Sequence, residues 1–313
     1  MTVAAVSGLL DLPLPGGGRT RERWTALQRL ARENVVLGRM AEAHADAVAI
    51  LAELGGPSVG PSDSWGVWAA EPPEPILVAT RRGSTWSLSG RKPWCSGASS
   101  CTHALVTARV DGTPALFAVD LRVDGVEPVP DTWHAVGMAG SDSGAVDFDD
   151  VAAQPVGATG DYLSRPGFWH GAIGVAACWF GGALAVADVL YDKCERGTAS
   201  PHALAHLGGV DASLAAASYA LDCAATEIDK DPSDRFGEGR MRALRVRRIV
   251  EQSVTDTLDR VGRALGAGPL CMNADHAQRV ADLGTYIRQS HAEQDLEALG
   301  QTIVEKEPTW RTR

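Results

Sequence analysis

Leu88-Ser89-Gly90-Arg91-Lys92-Pro93-Trp94-Cys95-Ser96-Gly97-Ala98 is the stretch on which the fold turns. The residues leading into it, Trp86-Ser87-Leu88-Ser89-Gly90, alternate as a strand does when one face is covered. Residues 104–110 and 115–119 are short apolar runs, and Ala145-Val146-Asp147-Phe148 alternates again. Turn formers separate them: Arg82-Gly83-Ser84, Asp111-Gly112-Thr113-Pro114, Asp124-Gly125 and Gly140-Ser141-Asp142. Short strands between glycine turns predict an antiparallel β-barrel or sandwich over residues 64–160.

On both sides of this segment the period is helical. Within residues 21–54, Trp24, Leu27, Leu30, Leu37, Met40, Val48 and Leu51 recur mostly at helical intervals, predicting one long helix or two in tandem. Gly55-Gly56-Pro57 ends it, and a Pro/Gly-rich arm (Pro13, Pro15, Gly16 to Gly18) precedes it. Beyond Tyr162, Leu214, Ala217, Leu221, Ala224 and Ile228 step by three or four, as do Val246, Val250, Val254, Val261 and Leu265 with one gap. Residues 165–193 and 275–299 supply two further long candidates, and four such helices predict an antiparallel bundle over 161–313. The expected organisation is an α+β chain: a helical segment over 1–63, a β-domain over 64–160, and a four-helix bundle over 161–313.

Charge and composition narrow the partners. A formal charge of −10 argues against a phosphate backbone as ligand. No stretch reads as apolar over the ~18 residues a membrane span needs, and residues 1–15 lack the pattern of a signal peptide. The six cysteines form no C-x-x-C pair and no zinc spacing, so no metal is expected. These features predict a cytoplasmic location.

Three further strings accompany the opening one: Trp68-Ala69-Ala70-Glu71-Pro72, Gly137-Met138-Ala139-Gly140-Ser141-Asp142-Ser143-Gly144, and Val146-Asp147-Phe148-Asp149-Asp150-Val151. In this order they resemble the landmarks of the acyl-CoA dehydrogenase family: its T-E-P segment, G-x-K-x-W-x-[ST] strand, G-x-x-G-[ST] turn and F-x-[DN]-V strand. The resemblance implies a flavoprotein with FAD held between helices and β-domain, oxidising an acyl-CoA or other acyl thioester. In that chemistry a carboxylate takes the α-proton while the β-hydrogen leaves as hydride to the flavin. It also implies flavin contacts at Trp94 and Ser96, at Ala69 and Ala70, at Arg196 near the first bundle hairpin, and at the glycine turn Gly266 and Gly268. Outside that context a strand tryptophan is a packing residue, and Cys95, between the two flavin neighbours, points to the opposite face.

The chain departs from the family in several places. The N-terminal helical region is about half the family's length, Pro72-Pro73-Glu74-Pro75 replaces a Gly-rich loop, and Leu207 stands where a glutamine is expected. The family's base position falls on Gln289 or Ser290, neither of which accepts a proton. Beyond it lie His291, Glu293 and Asp295. They read either as a polar helix end, or as a relocated base at Glu293, or as His291 oriented by Asp295. Arg165 and His170 are candidates for the mouth of the site, with a core role for His170 the blander reading. The run Arg240, Arg242, Arg245, Arg247, Arg248 reads as a solvated face. Two rival functions stay open: a flavin monooxygenase on the same fold, and a non-catalytic partner subunit in a hetero-oligomer with a homologue. A homo-oligomer, dimer or tetramer, is expected through the helices.

Overall fold

The computed structural model describes residues 11–306 and Arg311. It divides into two compact units, one built on Val36–Phe168 and the other on Pro13–Val35 with Trp169–Arg313. The N-terminal stretch is therefore not a unit of its own. Its helical pattern resolves into two tandem helices, α1 (Thr20–Glu33) and α2 (Val35–Leu54), broken at the extended Asn34. Helix α1 belongs with the C-terminal helices, and nearly all of α2 with the strands.

The first unit is a closed barrel. Strands β1 (Trp65–Trp68), β2 (Leu77–Arg82), β3 (Thr85–Lys92), β4 (His103–Val110), β5 (Thr113–Asp120), β6 (Val126–Val129) and β7 (Ala145–Pro155) follow in sequence. Pairings β4–β2, β2–β3, β3–β7, β7–β5 and β5–β4 complete the ring, with β1 added parallel to β4 and β6 antiparallel to β7. The barrel is not purely antiparallel, because β2 meets β4 in parallel at Val78 and Arg109. Asp111 and Gly112, both with positive φ, make the two-residue turn between β4 and β5 that matches strand twist.

Period-two alternation then sorts the side chains. Ala104, Val106 and Ala108 of β4 and Phe117 and Val119 of β5 point inward with Trp68, Leu88 and Phe148. Leu105, Leu116 and Ala118 face outward, where Ala47, Ile50 and Leu51 of α2 cover them with Val156. Each large apolar side chain buried this way contributes roughly 1.5–3 kcal/mol.

The second unit is helical: α4 (Pro166–Glu195, after the short α3, Asp161–Ser164), α5 (Pro201–Lys230), α6 (Gly239–Leu265), α7 (Gly268–Met272), α8 (Ala274–Tyr286) and α9 (Glu293–Lys306). Ser200 caps α5 by accepting from Ala203 N at 3.2 Å, with Pro201 in the first turn. Asp229 near the end of α5 accepts from Gly18 N and from Thr20 N and Oγ1, satisfying the first turn of α1.

Two expectations need correction. The single helix read over 275–299 is interrupted by a 3-10 turn at Ile287–Gln289 and by Ala292, whose φ is +47°. And α4 is long and apolar enough to cross a membrane, its most apolar 18-residue window having a mean hydropathy of 1.9. That window is 72% buried inside the protein, which makes α4 a core helix.

Candidate cofactor cleft

After β3 the chain leaves the sheet at Pro93 and Trp94, and the loop that follows is sewn to residues 138–144. Cys95 N donates to Gly144 O at 2.8 Å, Gly97 N to Ser141 O at 2.8 Å, and Ala98 N to Asp142 O at 3.1 Å. Beneath them runs a serine chain: Ser96 Oγ to Ser143 Oγ at 2.8 Å, Ser143 Oγ to Ser141 Oγ at 2.8 Å, and Ser141 Oγ donating to Met138 O. The outcome is unusual for the bulkiest side chain of the loop. Trp94 is held at φ +57° and is 58% exposed. A left-handed conformation on a bulky residue costs about 1–2 kcal/mol, and such strain gathers at functional sites.

The exposed residue borders a cleft of about 480 Å³ lined by Glu74, Pro75, Arg91, Pro93, Trp94, Thr132 and Ala145. That volume is in the range of small-ligand sites. Arg91 is turned to Asp147 by two hydrogen bonds of 2.6 and 2.7 Å, and these hold the Asp147 carboxyl below its ordinary range. Behind the cleft, the side chain of Lys92 is 3% exposed. Its Nζ donates to Glu71 Oε1 at 2.7 Å, Thr107 O at 2.7 Å and Thr107 Oγ1 at 2.8 Å. Burial pushes the Glu71 carboxyl up, but hydrogen bonds from Lys92 and Thr107 outweigh it and hold the group ionised and low.

The other expected flavin contacts fall variously. Ala69 and Ala70 are half-buried in the segment leading to Glu74. Ser96 is 6% exposed, and its hydroxyl meets Ser143 Oγ beneath the loop. Cys95 is fully buried, and burial raises its thiol far above the usual range. Arg196 is exposed just past the end of α4. Gly266 ends α6, and its N–H already donates to Gly262 O at 2.9 Å, so it has no free donor for a pyrophosphate. Gly268 opens the five-residue α7 and is exposed.

The residues considered for the base are exposed. His291 precedes α9 rather than sharing its face with Asp295, and its side chain is 72% exposed. The pair does meet, with Nδ1 at 3.5 Å from Asp295 Oδ1 and His291 N donating to Asp295 Oδ2. Glu293 lies exposed in the first turn of α9. Ser290 donates from Oγ to Glu251 Oε2 at 3.0 Å, a buried carboxylate on α6 that the sequence reading passed over. His170 is a core residue whose Nε2 meets Pro232 O at 3.0 Å. Arg165 is 5% exposed and paired with Glu53 at 2.7 Å, so it is a buried partner of α2 and not an open mouth residue. The basic run is not wholly solvated either, since Arg247 donates to Ala172 O and lies over the Trp179 ring at 4.7 Å.

A family model described as "Acyl-CoA dehydrogenase, middle domain" matches residues 70–151, the stretch that carries most of the barrel and the Trp94 loop. The barrel is thus similar to an acyl-CoA dehydrogenase middle domain. No curated protein matches the sequence. Among solved structures, TdsC from Paenibacillus sp. A11-2 with FMN and indole superposes with a TM-score of 0.80 at 17% identity, over 91% of this chain and 84% of that one. Methanesulfinate monooxygenase MsuC from Pseudomonas fluorescens gives 0.80 at 18%, over 97% and 90%. KijD3 with FMN and dTDP-3-amino-2,3,6-trideoxy-4-keto-3-methyl-D-glucose gives 0.82 at 19%, over 97% and 86%. The chain thus has the acyl-CoA dehydrogenase fold: N-terminal helices, β-barrel, C-terminal helices.

Proposed function

We propose that this chain is a flavin-dependent monooxygenase on the acyl-CoA dehydrogenase fold, using FMN. The observation that carries it is Trp94, strained and exposed beside an open cleft on a barrel similar to an acyl-CoA dehydrogenase middle domain. A planar heterocycle fits there, the Trp94 ring giving one flat apolar surface and Pro75 and Pro93 giving others. FMN rather than the FAD first expected is supported by the FMN complexes of TdsC and KijD3, and oxygen insertion by the TdsC and MsuC monooxygenases. When bound and reduced, the flavin would supply activation of dioxygen. The chain's own residues would seat the ring against Trp94 and keep the 93–99 loop rigid through the serine chain.

The thioester dehydrogenase reading keeps the support of the family model, but it requires a proton acceptor. Residues 287–292 hold no carboxylate, His291 and Glu293 face solvent, and the buried Glu251 beside Ser290 is already engaged by Ser290 and Arg248. One experiment separates the readings. Photoreduced FMN, dioxygen and a panel of small sulfur and nitrogen compounds should give a product gaining one oxygen atom by mass. No oxygenated product, together with anaerobic bleaching of bound flavin by an acyl-CoA, would overturn the proposal. Glu293→Gln and His291→Gln should each leave oxygenation within about twofold of wild type, whereas a dehydrogenase would lose roughly 10²-fold on losing its base.

Assembly is part of the same proposal. The helical unit exposes Tyr219 (73%), Phe236 (74%), Met272 (88%) and Val304 (86%), large apolar side chains that self-association through the helices would cover. A dimer or tetramer is the expected result in light scattering at micromolar concentration; a monomer throughout that range would refute it.

A further inference from the structure

We propose that Glu71 and Lys92 form a buried latch that fixes the spacing of the cleft walls, which makes both of them positioning residues for the planar ligand received by Trp94. The proposal rests on the flavin reading above. Glu71 lies three residues before Glu74, on one wall, and Lys92 two residues before Trp94, on the other. Between the end of β1 at Trp68 and the start of β2 at Leu77 the chain pairs with no strand. Three of these residues, Pro72, Pro73 and Pro75, have no N–H with which to join a ladder. Backbone pairing therefore cannot place this wall, and a side chain must.

Glu71 does so with unusual completeness. Its Oε1 accepts from Lys92 Nζ at 2.7 Å and from Thr107 Oγ1 at 2.6 Å, and its Oε2 lies 3.5 Å from Arg109 Nε. Lys92 spends its remaining two donors on Thr107 O and Oγ1. A second tie joins the same two edges, Trp68 Nε1 donating to Ser96 O at 3.0 Å inside the barrel. An ion pair in this place is a poor source of stability, because two apolar residues of similar volume would serve as well or better. What the pair supplies over an apolar substitute is direction. The ammonium has three acceptors at fixed angles, so the walls have one spacing and the ligand pays little to order them.

The test uses the full chain with Glu71→Met and Lys92→Met combined, which removes the pair as a whole and leaves Arg109 without its carboxylate and Thr107 without its ammonium donor. The double variant should still fold and melt cooperatively. Amide hydrogen exchange in residues 69–76 and 93–97 should be at least tenfold faster without ligand, while β4 and β5 exchange as before. FMN affinity, read by quenching of FMN fluorescence, should fall at least tenfold. Unchanged exchange in both segments overturns the latch. Faster exchange with undiminished FMN affinity overturns the positioning role. Faster exchange in a protein whose wild type binds no FMN upholds the latch and removes the flavin reading instead. Should the double variant not fold, Glu71→Gln, which keeps the shape and loses the charge, decides by the same two measurements.

Discussion

Trp94→Gly is expected to weaken FMN binding roughly ten- to hundredfold while leaving the melting temperature close to that of the wild type. Stacking of a planar heterocycle on an aromatic side chain is worth about 1–3 kcal/mol, and each 1.4 kcal/mol is about a factor of ten in affinity. The stability side nearly cancels. Glycine relieves the left-handed backbone at φ +57° by about 1–2 kcal/mol. Against that stand the entropy a glycine loses on folding, about 0.5–1 kcal/mol, and the contacts of a residue that is already 58% exposed. A buried tryptophan would behave otherwise, losing about 3–5 kcal/mol on truncation. Trp94→Phe, with a smaller flat surface and the strain retained, should keep part of the affinity. The measurement is FMN fluorescence quenching alongside a thermal melt on each variant. A folded Trp94→Gly protein that binds FMN as tightly as the wild type would take Trp94 out of the site.

The barrel was legible because its signals are local. Alternation at residues 86–90 and the glycine turns at 83, 112 and 125 need only sequence neighbours to be read, and all three glycines have the positive φ that such turns require. The same alternation, carried one step further, would have placed Lys92 inward with Leu88, and so pointed to a buried charge in want of a partner. That partner, Glu71, was out of reach, because its place depends on a pairing across the barrel with Thr107 and Arg109. Ser96 was placed beside the flavin by the family resemblance alone, and its bond to Ser143 joins segments too far apart in sequence for any local pattern to show. The break at Ala292 was hidden for a related reason. No glycine or proline marks it, and the caps that stabilise it, Ser290 Oγ accepting from Ala292 N and Asp295 Oδ2 from His291 N, are visible only once the chain has turned. The helix over residues 165–193 was readable, but the burial of 72% of the most apolar window of α4 is a tertiary fact.

Gly181→Val should be the most damaging single substitution in the helical unit, costing at least about 3 kcal/mol and abolishing the cooperative melt of that unit if its stability is ordinary. The position lies in the middle of α4, where α1 crosses it. A Cβ at 181 would sit 2.2 Å from Gln28 O and 2.9 Å from Gln28 C and Cα. These are backbone atoms in the middle of a helix, so no rotamer change can yield, and α1 as a whole would have to move away. Ordinary overpacking against side chains costs about 1–3 kcal/mol; here the same intrusion would also part Trp24 and Leu27 of α1, both nearly fully buried, from their surroundings. Gly174, two turns earlier on the same helix, gives the control. Its Cβ would meet only Leu27 Cδ1 and Trp24 Nε1, both at 3.8 Å. Gly174→Ala should therefore be neutral or stabilising by up to the ~1 kcal/mol that alanine gains over glycine inside a helix. Urea denaturation followed by circular dichroism separates the two. If Gly181→Val unfolds at the wild-type midpoint, α1 is not packed on α4, and the short N-terminal region must be placed elsewhere in the fold.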